Sequence, residues 1–244
     1  MKKILVVGCS YSALARDGEY KSWSDFMNED GCEVDNFAHH GAGNLAIRRL
    51  LQTQLANKRY DFVIVQWSTV DRWDYPINNH YKLTGSDPGG YKESFYREYY
   101  NVYGAILETL DNILAAQLIL EKYNTQYKMI SMGNLFEMGA SIEAIHKMIS
   151  NRGDYSVIKM DNLLDTIKHT TNLDNINSVL QLIDFTKFKF STLPKNYFGG
   201  GMIEFLLEKG DYPRHKFHYT SEQHELFYNE FIKPILNDYK QRLY

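Results

Sequence analysis

The stretch KKILVVGCSYS, residues 2–12, most constrains what this chain can fold into. Ile4 to Val7 form a short apolar run that stops at Gly8, the pattern of a strand buried on both faces in a parallel sheet. Gly8 permits a sharp turn, and Ser10 then stands at the carboxyl end of the strand. That edge is where ligands bind in open α/β sheets. Ser10 is there either to cap the next turn or to act as a nucleophile, and this stretch alone does not separate the two.

The pattern recurs along the chain. Ser22 is a plausible N-cap for a short helix to Asn28, anchored by Trp23, and residues 32–37 read as a second strand. The glycine-rich turn HHGAGN leads into a helical run, 45–57, whose apolar stripe is Leu45, Leu50, Leu51 and Leu55. YDFVIVQW, residues 60–67, is the clearest strand. Strand, helix, strand, helix, strand at this spacing means βαβ units and a parallel sheet. Residues 68–92 are rich in Pro, Gly and Asn, so no regular structure is expected there. Their Trp73, Tyr75, Tyr81 and Tyr91 suggest a loop ordered over a site. A long helix is predicted over 93–123 and a fourth strand over 127–132. Residues 183–190 read as a fifth strand or the start of a loop. Further helices are predicted at 141–150, 175–182 (capped by Asp174), 202–208 and 222–242, with a short strand at 157–160 and a kink at Pro234. The expected architecture is one α/β domain over residues 1–244. It is a flavodoxin-like three-layer sandwich with a mostly parallel five-stranded sheet, and an insertion or cap at about 133–214.

Composition narrows the function. A net charge of -3 gives no argument for nucleic acid or an anionic membrane. The chain has 2 cysteines, Cys9 and Cys32, too few for a disulfide framework or a zinc set. Both read as buried thiols, with Cys9 the alternative nucleophile to Ser10. The 19 tyrosines suit either half-buried packing or a polar, sugar-like substrate. The apolar run at residues 4–7 is too short for a signal-peptide core, and no run approaches membrane length, so a cytoplasmic protein is expected.

Polar groups gather at four places: Ser10, the turn 39–44, residues 66–72, and RHKFHYTSEQH at 214–224. A serine nucleophile needs a base within hydrogen-bond reach and donors aimed at the developing oxyanion. These segments resemble, in order, the sequence blocks of the SGNH, or GDSL, hydrolase superfamily. GCSYS is similar to its first block, NFAHHGAGN to its second, VIVQWSTVDRW to its third and KFHYTSEQHELF to its last. The variant with GCS, a Trp a dozen residues on, GAGN and QWS…R resembles divergent members common in phage and marine bacterial sequences. The resemblance covers most of the chain and thins between residues 136 and 182. It implies Ser10 as nucleophile and oxyanion N–H, Gly41 as a second oxyanion N–H, His218 as base, and His224 as the non-catalytic histidine near the terminal helix.

The departures are specific. Val70 stands nearest the position of the third-block Asn, with Asp71 after it, which leaves Ser68 or Asn44 as substitute oxyanion donors. The first-block Asp is Cys9. The Asp that orients the base is absent: His215 and Lys216 precede His218, and Asp211 is the nearest carboxylate. Arg72 is the candidate for a substrate anion, and Trp73 and Tyr75 for lining a pocket. His39, His40 and His218 are a poor metal set, since adjacent histidines point apart and no carboxylate accompanies them, so no metal or other cofactor is expected. The resemblance implies an esterase or deacylase acting on a carboxylic ester or O-acetyl group of a small molecule or glycan. The alternatives are a catalytically silent glycan- or partner-binding protein on the same scaffold, or an acyltransferase.

Overall fold

A computed structural model of the chain describes residues 2–13, 20–70, 72, 74–77, 80–83, 102–133, 135, 173–191, 200–210 and 219–241. Strand β1 (Lys3–Val7) lies between β2 (Glu33–Asn36) and β3 (Phe62–Trp67), and β6 (Gln126–Ser131) follows β3. All pairings in this four-stranded sheet are parallel: Ile4 sits opposite Val34 on one side and Phe62 on the other, and Trp67 opposite Ser131. Every residue of β3 is buried, as is β1 after Lys3, so both faces of the sheet are covered. The fifth position is a single parallel bridge, Met129 to Phe188, extended by the Lys189 N–H to the Met129 carbonyl at 2.9 Å. The α/β architecture is therefore as expected, with the fifth strand reduced to one bridge among the described residues.

Helices form two layers. On one side α2 (Asn44–Asn57) packs on α3 (Val102–Lys122), and α3 on α4 (Leu173–Leu182). On the other, α1 (Trp23–Glu29) and α5 (Met202–Glu208) pack on α6 (Ser221–Phe227). Trp23, Met27 and Phe227 are fully buried there, with the Trp23 and Phe227 rings edge to face at 6.5 Å. Each such side chain is worth roughly 1.5–3 kcal/mol of burial. Ser22 does cap α1, and its N–H donates to Asp25 Oδ2 at 2.7 Å. Helix α4 begins at Leu173, so Asp174 lies inside it and does not cap it. The predicted helix at 141–150 and strand at 157–160 lie outside the described residues. No described helix is long and apolar enough to cross a membrane.

Two local expectations are corrected. Residues 68–92 contain a hairpin: β4 (Asp74–Ile77) pairs antiparallel with β5 (His80–Leu83), Asp74 opposite Leu83 and Ile77 opposite His80. The segment DYPI-NN-HYKL alternates apolar and polar residues around an Asn-Asn dipeptide, a hairpin signal that its overall Pro and Gly content obscures. Pro76 is tolerated because a two-stranded ribbon leaves edge positions without a ladder partner. The terminal helix meets Pro234 with a π-helical turn, Tyr228–Ile232, before α7 (Lys233–Gln241). Proline has no N–H and its ring crowds the carbonyl four residues back. The wider turn accommodates this by linking the Lys233 N–H to the Tyr228 carbonyl.

Candidate active site

The Ser10 turn follows directly from β1. Gly8 has no room for a side chain: a Cβ would lie 2.6 Å from Ser12 Oγ and 3.1 Å from Gln66 Cβ on the adjacent strand. The Cys9 carbonyl accepts the N–H groups of Ser12 and Ala13, both at 3.0 Å, so a single helical turn starts at Ser10. The first N–H groups of such a turn have no partner inside it. Among the described residues none accepts from the Ser10 N–H or binds its hydroxyl, and Ser10 is 4% exposed. The turn is held from below. Ser12 Oγ donates to Gln66 Oε1, Asn36 Nδ2 donates to the Ser12 carbonyl at 2.6 Å, and Trp23 Nε1 donates to the Tyr11 carbonyl at 3.0 Å. Cys9 is fully buried, its thiol directed at Met132 Sδ, 3.6 Å away.

The second turn arrives from β2. The His39 N–H donates to the Gly8 carbonyl at 3.0 Å, which moors this turn to the end of β1. Gly41 has φ 79°, a left-handed conformation that glycine adopts without strain. Its N–H has no acceptor among the described residues. Helix α2 then begins with Gly43 as N-cap, which has no side chain to satisfy the first N–H groups. Asp74 of β4 does so instead: Oδ1 accepts from the Gly43 N–H at 2.9 Å and Oδ2 from the Ala46 N–H at 2.8 Å. Asp74 is 3% exposed, and burial, outweighing those two bonds, pushes its carboxyl up to about 6. Sequence reading missed this residue. The signal was available: a helix opening on Gly-Asn with no Ser, Thr or Asp at its cap requires an acceptor from elsewhere.

The third turn leaves β3 and changes the assignment of two expected donors. Asn44 Nδ2 donates to the Ser68 carbonyl at 3.2 Å and to Thr109 Oγ1 at 3.1 Å, while its Oδ1 accepts from the Ser68 N–H at 2.9 Å. Both amide hydrogens are thus taken, and Asn44 ties three elements together instead of facing substrate. Ser68 is fully buried, and its hydroxyl donates to Met132 Sδ at 3.6 Å. Neither is free to serve as an oxyanion donor. Asn44→Ala is expected to cost about 2–4 kcal/mol of stability, because the buried Ser68 N–H and carbonyl lose their partners; a denaturant midpoint shift in that range checks it. Arg72 closes a turn on the Thr69 carbonyl at 3.3 Å and directs Nη1 to the Ala42 carbonyl at 3.4 Å. Trp73 lies outside the described residues, and for Tyr75 only the backbone, in β4, is described.

The last segment comes back to the same edge. Thr220 caps α6, and the Lys21 N–H donates to Ser221 Oγ at 2.9 Å. The His224 ring is 2% exposed; its Nδ1 accepts from the Trp23 N–H at 3.3 Å and its face stacks on Tyr20 at 5.5 Å. Tyr219 is buried edge-on against Tyr11, ring centroids 5.7 Å apart. The residue after Ser10 is therefore packed on the residue after His218. His218 itself, with Asp211, His215, Lys216 and Asp71, lies outside the described residues. No group of His, Cys, Asp and Glu among the described residues is arranged to hold a metal ion.

Solved structures share this fold. A psychrotrophic esterase from a Pseudoalteromonas species, in a structure inhibited by monoethylphosphonate, superposes with a TM-score of 0.50 at 11% identity, covering 97% of this chain and 100% of the esterase. The chain shares the α/β fold of that esterase. An acetyl xylan esterase gives 0.49 at 12% identity over 96% of this chain and 99% of its own. An acetylxylan esterase from Geobacillus stearothermophilus gives 0.44 at 14% identity over 96% and 94%. No protein-family model matches the sequence, and no curated protein does. At these identities the likeness concerns the fold, and the chemistry rests on this chain's own sheet edge.

Proposed function

We propose that this protein is a serine ester hydrolase acting on a carboxylic ester or O-acetyl group. Ser10 Oγ attacks the acyl carbonyl, His218 takes the proton, and the N–H groups of Ser10 and Gly41 receive the oxyanion. Collapse of the tetrahedral adduct expels the alcohol, protonated by His218. Water, deprotonated by the same imidazole, then cleaves the acyl-enzyme. The observation that carries this reading is the pair of backbone N–H groups, at Ser10 and Gly41, left without described acceptors on two turns that a His39 N–H to Gly8 carbonyl bond joins. His218 is the base this reading assigns from its place in the last sequence block. The shared fold with a known esterase supports the reaction class. A small-molecule or glycan ester is the substrate class we favour, in keeping with the many tyrosines.

A fluorophosphonate tests the reading, because its phosphonyl group traps an activated serine. The expected result is one phosphonyl group per chain, located on Ser10 by peptide mass spectrometry and absent when Ser10 is alanine. A second reading, a silent binding protein on this scaffold, is favoured by the engagement of Asn44 and Ser68 elsewhere; wild-type protein that takes no phosphonyl group would establish it. Transfer in place of hydrolysis is distinguished by adding acceptor sugars to a p-nitrophenyl acetate assay and looking for acylated sugar.

A further inference from the structure

With Asn44 and Ser68 engaged, the N–H groups of Ser10 and Gly41 remain for the oxyanion among the described residues, and Arg72 is the described cation beside them. Strand β1 lies between β2 and β3, so the turns that follow β2 and β3 flank the tip carrying Ser10. They also meet each other across that tip. A Cβ on Gly43 would lie 2.5 Å from the Arg72 carbonyl, and the Arg72 guanidinium reaches the carbonyl of Ala42, the residue after Gly41. Arg72 is half-buried, and one long bond, at 3.4 Å, is the only use made of its five donors among the described residues. Its charge also acts on the Tyr11 phenol, which follows Ser10, opposing the upward push of burial there. A half-buried guanidinium with spare donors, in contact with the Gly41–Ala42 turn and close enough to act on Tyr11, is suited to an anion that forms only during reaction.

We infer that Arg72 is a catalytic residue whose guanidinium donates to the oxyanion formed when Ser10 attacks the acyl carbonyl. This rests on the esterase reading and deepens it. As the Oγ–carbon bond forms, the carbonyl π pair moves to oxygen and the Ser10 proton goes to His218. Arg72 stays protonated throughout, donating hydrogen bonds and transferring nothing. The role differs from gripping an anionic substrate, because it applies to neutral esters too.

Steady-state kinetics on neutral p-nitrophenyl acetate and on the anionic p-nitrophenyl hemisuccinate separate the two roles. For Arg72→Gln, kcat on the neutral ester is expected to fall about 10²–10³-fold with KM little changed. Arg72→Lys should recover part of the loss, and added guanidinium ion should restore turnover to Arg72→Ala. If Arg72→Gln keeps its kcat on the acetate and loses only the hemisuccinate, Arg72 is a substrate-anion clamp and the inference fails. If Arg72→Lys loses as much as Arg72→Gln, melts lower, and guanidinium rescues nothing, the side chain merely holds the Ala42 carbonyl and the inference fails as well. Wild-type protein that hydrolyses neither ester and takes no phosphonyl group overturns the esterase reading, and the inference with it.

Discussion

Alanine at position 10 is expected to abolish ester turnover, lowering kcat by about 10⁴–10⁶-fold. The size follows from the chemistry: without Oγ there is no acyl-enzyme, and the remaining N–H groups only polarise a carbonyl that water must attack unaided. The protein should stay folded. The substitution removes one oxygen that no described group binds, so the stability change is expected below about 1 kcal/mol. Equal melting temperatures with lost turnover would mark a chemical role. A large residual rate would transfer suspicion to Cys9, yet the Cys9 thiol is fully buried and directed at Met132 Sδ. Cys9→Ala is accordingly expected to keep most of the activity, and a dead Cys9→Ala with a live Ser10→Ala would reverse the assignment.

The second large effect is at Asp74. Asp74→Ala leaves two buried N–H groups at the opening of α2 without an acceptor, at about 1–3 kcal/mol each, so it is expected to cost about 2–6 kcal/mol. The pH dependence has a definite sign. Burial holds the folded carboxyl at about 6, against 3.8 for an ordinary aspartate, so the folded state binds the proton more tightly than the unfolded chain. Asp74's contribution is then fully present below pH 3.8 and diminishes as the pH rises through 6, by about 3 kcal/mol in all. Two other charges act on it: Glu108 of α3 raises it further and Arg72 lowers it. Arg48 of α2 acts in turn on Glu108, and Leu83, across the hairpin, carries no charge. Denaturant unfolding of wild type and Asp74→Asn from pH 4 to 8 isolates the effect. The wild-type advantage should shrink with rising pH, and a gap that widens or stays flat would refute the burial argument.

What could be read from residues alone divides along physical lines. Strands β1 and β3 were legible because a strand covered on both faces must be apolar throughout, and ILVV and FVIV are. That Ser10 and Gly41 stand in turns after strands was legible because a sharp turn leaving a strand favours glycine, and spacing along the chain records that need. The hairpin at 74–83 was hidden because Pro76 and the surrounding Asn and Gly lower the average, while pairing depends on a four-residue alternation.

The partners of polar side chains were out of reach. Asn44 looked like a donor for substrate, but Ser68, which takes up its amide, is 24 residues away, and Thr109 is 65 away. Asp74 was silent for the same reason, since its value comes from the end of a helix begun 31 residues earlier at Gly43. Local sequence therefore specified which residues stand at the sheet edge, through hydrophobic burial and backbone conformational preference, both properties of neighbouring residues. Which of those polar groups remain free for chemistry was settled by long-range hydrogen bonding, because a donor has a limited number of protons and the folded chain uses most of them for itself.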